Sequence, residues 1–248
     1  MAVGIEHEAF DFISRCWDHS APAELLDDLL RTVRPLGFDY LIMSGVPVGG
    51  QNLAPLVELN GWPQGWLDRY LERGHAVVDG VCLYSAQTTR PFFWNDMPLP
   101  FASSKGTAIV AGEASEFGIR SGYAVPAHSP LHWHSVVSLA SGAADCSMSK
   151  RQEMAVALMA VAAVGAVEAL YRPVKPNLVL SDREREVALW LAAGKTKWEI
   201  SSILSISEHT VDKHVRSILA KLNASNTAQA VAEAIRRREI VPAALSMA

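Results

Sequence analysis

The last third of this 248-residue chain carries a series of helix-start signals, and these constrain its fold more than any other feature. Three times a Ser, Thr or Asn stands three residues before a Glu or Gln, which is the spacing of a capping box. The pairs are Ser181 with Glu184, Thr196 with Glu199, and Asn226 with Gln229. Ser207 is a fourth plausible N-cap. These signals predict an all-α unit of four short helices, over residues 182–193, 197–204, 208–222 and 227–238.

The third predicted helix, which contains "HTVDKHVRSILAKL", has two faces of opposite character. At 100° per residue, one narrow arc collects the apolar side chains Val211, Val215, Ile218 and Leu222. The opposite side presents the polar side chains His209, Asp212, Lys213 and Arg216. The helix before it is predicted to pack through Trp198, Ile200 and Ile203, and the connection "LSIS" is short enough for a steep crossing angle. This pattern is typical of a helix-turn-helix, whose second helix enters the major groove of DNA.

The chemistry of these side chains assigns them different partners on DNA. Arg216 and Lys213 can donate to guanine O6 and N7, whereas Asp212 can accept from cytosine N4 or reject a misplaced phosphate. The N-terminus of the preceding helix suits a backbone phosphate. The predicted DNA-binding residues are therefore Lys195, Thr196, Lys197, His209, Asp212, Lys213, Arg216 and, as a phosphate partner, Lys221. The alternative is a surface helix whose charges are only solvated.

The stretch "LSDREREVALWLAAGKTKWEISSILSISEHTVDKHVRSILAKLNASNTAQAVAEAI" resembles the DNA-binding domain of the LuxR/GerE family of transcription regulators nearly end to end. The elements "LSxRE", "GKT", "EI", "TV", "H" and "KL" stand at the family's spacing. Two positions depart from the family's pattern. Ala188 stands where a leucine is usual, and Thr227 stands where an arginine commonly follows the asparagine.

A proline-punctuated segment, "PVKPNLV", divides the chain and predicts a linker at residues 173–179 between domains at 1–172 and 180–248. Upstream of it, "SAPAELLDDLLRTVRPLG" has helical spacing, whereas "FDYLIMSGV", "SGYAVPAHSP" and "HWHSVVSLAS" look like strands. Further helices are expected in "PQGWLDRYLERG", in "SKGTAIVAGEASEFG" and from 149 to 171. Together they predict an α/β three-layer sandwich, with an antiparallel sheet between helices.

Charge and cysteine usage bound the function further. Residues 178–248 hold 10 Lys and Arg against 8 Asp and Glu, while residues 1–177 hold 12 against 18, so a polyanion is expected to meet the tail. Three widely spaced cysteines and an acidic N-terminus favour a cytoplasmic protein. The longest apolar run, 154–167, is too short to cross a bilayer, so no membrane association is expected.

No enzyme signature is evident in the sequence. It contains no nucleophile elbow, no phosphate-binding glycine loop and no paired catalytic carboxylates, so neither an enzyme nor a cofactor is expected. The segment "HSPLHWHS" holds His128, His132 and His134, but no carboxylate or thiolate nearby completes a ligand set. Polar strand-end histidines are the preferred interpretation, and no metal site is predicted.

An aromatic cluster in the front domain is a candidate ligand site. Trp62, Trp66 and Tyr70 are successively four apart and are expected to share one face of a helix. Asp79, in "HAVVDGV", is expected to be partly buried, and a buried carboxylate needs a hydrogen-bond donor, which a ligand N–H can supply. The alternative is that the aromatic residues fill the core and that Asp79 only makes a turn.

The intervals between Trp66, Tyr70, Asp79, Trp94 and Gly122 resemble those of the N-acyl-homoserine-lactone-binding domain of LuxR-type quorum-sensing receptors. The resemblance implies that Trp66 donates to the lactone carbonyl and that Asp79 accepts from the amide N–H. It also implies that Ser138 donates to the acyl carbonyl, that Tyr70 lines the acyl chain, and that Trp94 packs against the lactone ring.

Two positions in this region depart from the family. Trp62 stands where a tyrosine often holds the acyl carbonyl, so its indole N–H replaces that donor or its bulk only reshapes the pocket. Gly80 replaces the proline that usually follows the aspartate, which is expected to loosen the aim of Asp79.

The two resemblances occur in the same order as in the family. They predict a regulator that binds an acyl- or aroyl-homoserine lactone in its N-terminal domain and promoter DNA through its C-terminal domain. A helix-turn-helix reads few base pairs, so a homodimer is expected, with the helix at 150–170 and the last helix as candidate interfaces. The alternative is a LuxR-type solo regulator that senses a different small molecule or acts without one.

Overall fold

The computed structural model describes residues 4–47, 51–128, 134–171, 179–237 and 239–241. The chain divides into two compact units, Met1–Tyr171 and Arg172–Ala248. Most of the predicted linker and His132 of the histidine-rich segment lie outside the described residues.

The first unit is built on a five-stranded antiparallel sheet in the order β2-β1-β5-β4-β3. Its strands are β1 Tyr40–Gly45, β2 Val57–Asn60, β3 Phe92–Phe93, β4 Ser121–Ala127 and β5 Ser135–Ser141. The three strands predicted from the sequence, now β1, β4 and β5, form the centre. The two unpredicted strands, β2 and β3, are the short edges.

Side-chain alternation along the strands separates the two faces of the sheet. One face carries Leu139 and Tyr123 into the larger core, against helices α1 Ile5–Arg15, α2 Pro22–Val33 and α7 Lys150–Tyr171. The other face carries Ala140 and Ser138 toward α3 Trp66–Glu72, α4 Gly80–Ser85, α5 Leu99–Ala102 and α6 Lys105–Glu116. This confirms the predicted sandwich of a sheet between helices.

The long helix α7 packs on α1, α2 and the sheet. By length and composition it could cross a membrane, since its most apolar window has a mean hydropathy of 2.0, but half of that window is buried inside the unit. The core helix of a folded domain has the same composition, so this is weak evidence for a membrane span.

The second unit contains four helices within the described residues, as predicted: α8 Asp182–Ala192, α9 Lys197–Leu204, α10 Glu208–Leu222 and α11 Thr227–Arg236. Full capping boxes form at Ser181 and Thr196, and Ser207 and Asn226 also cap their helices. The predicted apolar arc of α10 is buried in the core of the unit.

The prediction that Trp198 packs in this core is wrong. Its side chain is 66% exposed and that of Ile203 is 43% exposed, whereas Ile200 is fully buried. Helix α9 has only eight residues, so one turn of its surface suffices to contact the core and the remaining apolar side chains face solvent.

Candidate functional site

A cavity of about 310 Å³ lies between the sheet and the helices on its second face. All six residues predicted to bind a ligand line it: Trp62, Trp66, Tyr70, Asp79, Trp94 and Ser138. These residues come from four separate segments of the sequence, and the fold brings them to one cavity.

The aromatic wall of the cavity comes from α3 and from the turn before it. Helix α3 begins only at Trp66, because Gly65 adopts a left-handed conformation with φ of 80°. The expectation that Trp62 shares this helix is therefore wrong. Its ring nevertheless lies 5.3 Å from the Tyr70 ring and 6.0 Å from the Trp66 ring, centroid to centroid. The buried Trp62 indole Nε1–H has no hydrogen-bond partner among the described residues.

Asp79 is held from two sides. The Tyr70 hydroxyl donates to its Oδ2 at 2.8 Å, and the backbone N–H of Val81 donates to its Oδ1 at 2.9 Å. Burial raises the pKa of the Asp79 carboxyl, although these two donors act in the opposite direction. Tyr70 thus positions the carboxylate, in addition to lining the cavity.

The sequence suggested that Gly80 loosens the turn that orients the Asp79 side chain, but the structure shows this turn to be fixed by contacts of Gly80. Its N–H, which a proline would lack, donates to Thr107 Oγ1 on α6 at 2.9 Å. A Cβ added at Gly80 would lie 2.5 Å from Thr107 Oγ1 and 2.6 Å from the Phe101 carbonyl oxygen. The backbone next to Asp79 is therefore packed directly against α5 and α6.

Trp94 and Ser138 form the sheet side of the cavity. In the register of β3 with β4, Phe93 pairs with Tyr123, so Trp94 comes next to Gly122. A Cβ at Gly122 would lie 2.4 Å from the Trp94 ring, which shows that the glycine makes room for the indole. The Trp94 Nε1–H is buried without a hydrogen-bond partner in the described part of the chain. Ser138 is 5% exposed and pairs with Ala124 of β4.

The remaining lining was not predicted from the sequence. One wall is the apolar face of α6, with Ala108, Ala111 and Ala114, and Ile119 follows it in the chain. The sequence feature that could have indicated this wall is an alanine at every third position of the predicted helix. The same spacing is equally consistent with ordinary core packing. Arg120, which is exposed, also borders the cavity.

On the second unit, ion pairs connect the predicted DNA-binding residues. Asp212 accepts a hydrogen bond from Lys197 of α9 and lies 2.6 Å from Arg216 Nη2 on its own helix. These charges lower the pKa of Asp212. Arg216 itself is 75% exposed. The carboxylate therefore bridges the two helices of the predicted helix-turn-helix, while His209 and Lys213 are exposed beside it.

The other predicted phosphate partners also have contacts within the unit. Lys221 Nζ lies 2.6 Å from Glu184 Oε2, and Ser217 donates to the same carboxylate. Although burial opposes it, these donors lower the pKa of Glu184 to about 2. Lys195 pairs with Glu199 at 3.0 Å, and the Thr196 hydroxyl caps α9.

Comparison with known proteins matches both units to described families. The sequence profile of the "Autoinducer binding domain" matches residues 21–168, and that of "Bacterial regulatory proteins, luxR family" matches residues 178–234. The chain is 32% identical over 242 residues to the transcriptional activator protein BjaR1 of Bradyrhizobium diazoefficiens, covering 97% of this chain and 99% of BjaR1. The chain belongs to the LuxR family of transcriptional regulators. Membership confirms the prediction that this LuxR-family protein is a regulator and not an enzyme.

Further matches are consistent with membership of this family. The quorum sensing-dependent regulator RpaR of Rhodopseudomonas palustris is 35% identical over 229 residues, which cover 92% of each chain. Among solved structures, Escherichia coli SdiA matches with a TM-score of 0.75 at 22% identity, covering 94% of this chain and 98% of SdiA. A complex of SdiA with octanoyl-rac-glycerol matches with a TM-score of 0.76, also at 22% identity, covering 96% of this chain and 97% of that one. At this identity the structural match supports the fold.

Proposed function

We propose that this LuxR-type regulator binds an acyl- or aroyl-homoserine lactone in the cavity of its first unit and promoter DNA, as a homodimer, through its second unit. The observation that carries the proposal is the convergence of the six predicted ligand residues on one cavity. Because its target is DNA, we also propose that the protein acts in the cytoplasm.

The polar groups of the cavity complement this ligand. Asp79 is a carboxylate acceptor, while Trp62, Trp66 and Ser138 offer donors. A secondary amide flanked by carbonyls has one N–H and several acceptor oxygens, which is the matching pattern. Asp79 accepts from the amide N–H, Trp66 donates to the lactone carbonyl, and Ser138 donates to the acyl carbonyl.

Trp62 acts as a second donor to the acyl carbonyl in this proposal. Its indole N–H is buried and unsatisfied by the described residues, and such a group is costly to leave unpaired. A ligand carbonyl has two lone pairs and can accept from Ser138 and Trp62 together. In this proposal the Trp62 indole N–H takes the place of the tyrosine hydroxyl that the family often has at this position.

The size of the cavity is compatible with a small ligand of this kind. Its volume of about 310 Å³ lies at the low end of small-molecule sites, which range over about 300–1,000 Å³.

A second candidate function is a solo regulator that senses a ligand without a lactone, or none. The observation that favours it is the SdiA complex, in which a protein of the same fold holds octanoyl-rac-glycerol. Glycerol hydroxyls can donate to a carboxylate such as Asp79, so this class of ligand is chemically compatible with the cavity.

A thermal-shift panel on the full chain separates these candidates. It compares short-acyl and aroyl homoserine lactones with a monoacylglycerol, because a ligand that binds only the folded state raises its melting temperature. We expect a lactone to raise the melting temperature. Trp66→Phe is expected to reduce this ligand-dependent shift more than it changes the melting temperature of the unliganded protein. Stabilisation by the monoacylglycerol alone would favour the second candidate, and no response to any lactone would refute the first.

The proposed dimer uses the outer surface of α1 and α7. There the side chains of Phe10, Met154 and Leu158 are each more than half exposed and line a groove of about 170 Å³. Glu6 and Arg151 border the same groove. In a two-fold interface each patch meets its own copy, so these opposite charges can pair across the axis while the apolar side chains are buried.

Sedimentation of a charged variant tests this surface. Leu158→Asp places a carboxylate in the groove and is expected to give a monomer in the presence of ligand. The control is Leu99→Asp, which changes a leucine on α5 that is more exposed than Leu158, and it is expected to leave the dimer intact. If both variants remain dimeric, the interface lies elsewhere.

A further inference from the structure

We propose that Asp212 is a positioning residue, which holds the Arg216 side chain in the orientation that reads a guanine in the major groove. This inference rests on the proposed binding of DNA through the second unit. The sequence suggested that Asp212 itself accepts from cytosine N4 or rejects a misplaced phosphate, whereas its contacts in the structure point to a role through Arg216.

The first observation is that both oxygens of the Asp212 carboxylate contact a cation. Lys197, the first residue of α9, donates to Oδ1, and Arg216 Nη2 lies 2.6 Å from Oδ2. A cytosine amino group is neutral and would have to compete with two charged donors for these oxygens. Hydrogen bonds between two charged groups are stronger than those with a neutral donor. The carboxylate is therefore committed to its neighbours on the protein.

The second observation is that the Arg216 side chain is anchored at one edge and free at the other. Side chains of a helix point toward its N-terminus, so Arg216 lies over the turn that holds Asp212, four residues earlier. The Asp212 side chain is 22% exposed, whereas that of Arg216 is 75% exposed. A guanidinium has more N–H donors than its contact with Asp212 uses, so the remaining donors can reach guanine O6 and N7.

The third observation is that the anchor is itself held from a second helix. Lys197 belongs to α9, so the Asp212 carboxylate is fixed by both helices of the predicted helix-turn-helix. An arginine side chain loses rotamer freedom when it binds a base. It loses less if it is already held in one orientation, and this preorganisation favours the base contact.

Stability and phosphate binding do not account for a carboxylate on this face of α10. An exposed ion pair four residues apart on a helix adds little to stability. A negative charge beside DNA opposes the attraction between the protein and the phosphates. The effect that remains is on the orientation of Arg216, so Asp212 is expected to raise the preference for guanine without raising the affinity for DNA in general.

A double-mutant cycle on DNA tests the proposal. The full chain is compared with its Arg216→Ala, Asp212→Asn and doubly substituted variants on three kinds of duplex: the selected one, the same duplex with single base-pair changes, and an unrelated one. Arg216→Ala identifies the base pair that Arg216 reads. There Asp212→Asn is expected to lower the preference about three- to tenfold and to have no further effect once Arg216 is replaced. The affinity for the unrelated duplex is not expected to fall.

Glu208→Gln is the matched control for charge. Glu208 is exposed on the first turn of α10, so this substitution removes one negative charge from the same helix, four residues before Asp212. It is expected to leave the preference at the Arg216 base pair unchanged. The proposal is overturned if Glu208→Gln lowers this preference as much as Asp212→Asn does. It is also overturned if Asp212→Asn leaves the preference intact, weakens all duplexes by the same factor, or still lowers the preference in the Arg216→Ala background.

The outcomes separate this proposal from the one on which it rests. If the unsubstituted chain prefers no duplex, the proposed function fails and this inference fails with it. If a duplex is preferred but Arg216→Ala changes no base preference, DNA binding stands and only this inference is overturned.

A second measurement covers a variant that does not fold. In a crystal structure of the unsubstituted full chain on its selected duplex, the Arg216 guanidinium is expected to contact a guanine and Asp212 at the same time. An Asp212 carboxylate within hydrogen-bond distance of a cytosine N4 contradicts the proposal, as does an Arg216 side chain that has left Asp212 for a phosphate.

Discussion

At the scale of single residues, the environment of Asp79 shows how a departure from a family pattern is absorbed. Gly80 lacks the ring of the usual proline but gains an N–H, which binds Thr107 and fixes the loop on α6. From the sequence alone this residue suggested a looser turn. The reverse holds because the compensating Thr107 is 27 residues away and no local pattern indicates it.

The Gly80 contact predicts a pair of opposite mutational effects. Gly80→Ala places a methyl group within 2.6 Å of the Phe101 carbonyl and is expected to lower the free energy of unfolding by about 1–3 kcal/mol. Gly112→Ala, in the middle of α6 with no atom within 4 Å of the new Cβ, is expected to raise it by about 0.5–1 kcal/mol. Urea unfolding of both variants measures the difference, and equal effects would contradict the close packing at Gly80.

Glu58 on β2 gives a pH-dependent prediction. Burial, together with the carboxylate of Glu168, raises the pKa of Glu58 from its ordinary 4.5 to about 7. Because the folded state disfavours the charged form, this residue lowers stability progressively as the pH rises from about 4.5 to 7. Glu58→Gln is therefore expected to stabilise the protein by on the order of 1–2 kcal/mol at pH 8 and by little at pH 4.5.

Thermal unfolding of Glu58→Gln at both pH values checks this sign. The exposed Glu72 on α3 provides the control substitution, Glu72→Gln, which is expected to have little effect at either pH. A gain in stability that is the same at pH 4.5 and pH 8 would show that charge at Glu58 is not the cause.

At the scale of helices and strands, the sequence predicted best what is determined locally. The helices of the second unit follow from capping side chains within three residues of each other, and their bounds agree with the structure to within two residues. Strands β2 and β3 have four and two residues and exist only through pairing with distant strands, so no local periodicity marks them. Trp198 was misplaced because helical spacing alone does not reveal how much of a short helix the core covers.

The α9–α10 pair predicts distinct DNA-binding phenotypes. Arg216 is largely exposed on the reading face, so Arg216→Ala is expected to relax base preference at one position, with a loss of about 1–3 kcal/mol on the preferred sequence. Lys195→Ala is expected to weaken all sequences alike and to reduce the slope of log affinity against log salt by about one. Binding is measured on duplexes that the unsubstituted chain selects from a random library. Indistinguishable profiles of the two variants would refute this division of roles.

At the scale of the whole molecule, the proposed function couples a ligand in the first unit to DNA binding by the second. The cavity lies inside the first unit, between its sheet and its helices, so we expect a ligand there to complete the core and to stabilise both the fold and the proposed dimer. The proposed dimer holds two DNA-binding units at a defined spacing. A ligand that binds two states of a protein with different affinity shifts the equilibrium between them, so we expect bound ligand to change the affinity for DNA.

The affinity of the full chain for its selected duplex, measured with and without the lactone that gives the largest thermal shift, tests whether the ligand controls DNA binding. We expect a change of about 5- to 150-fold at fixed salt, the usual range of such coupling, and its loss in Trp66→Phe at the same lactone concentration. An identical affinity with and without a lactone shown to be bound would contradict the proposed control of DNA binding by the ligand.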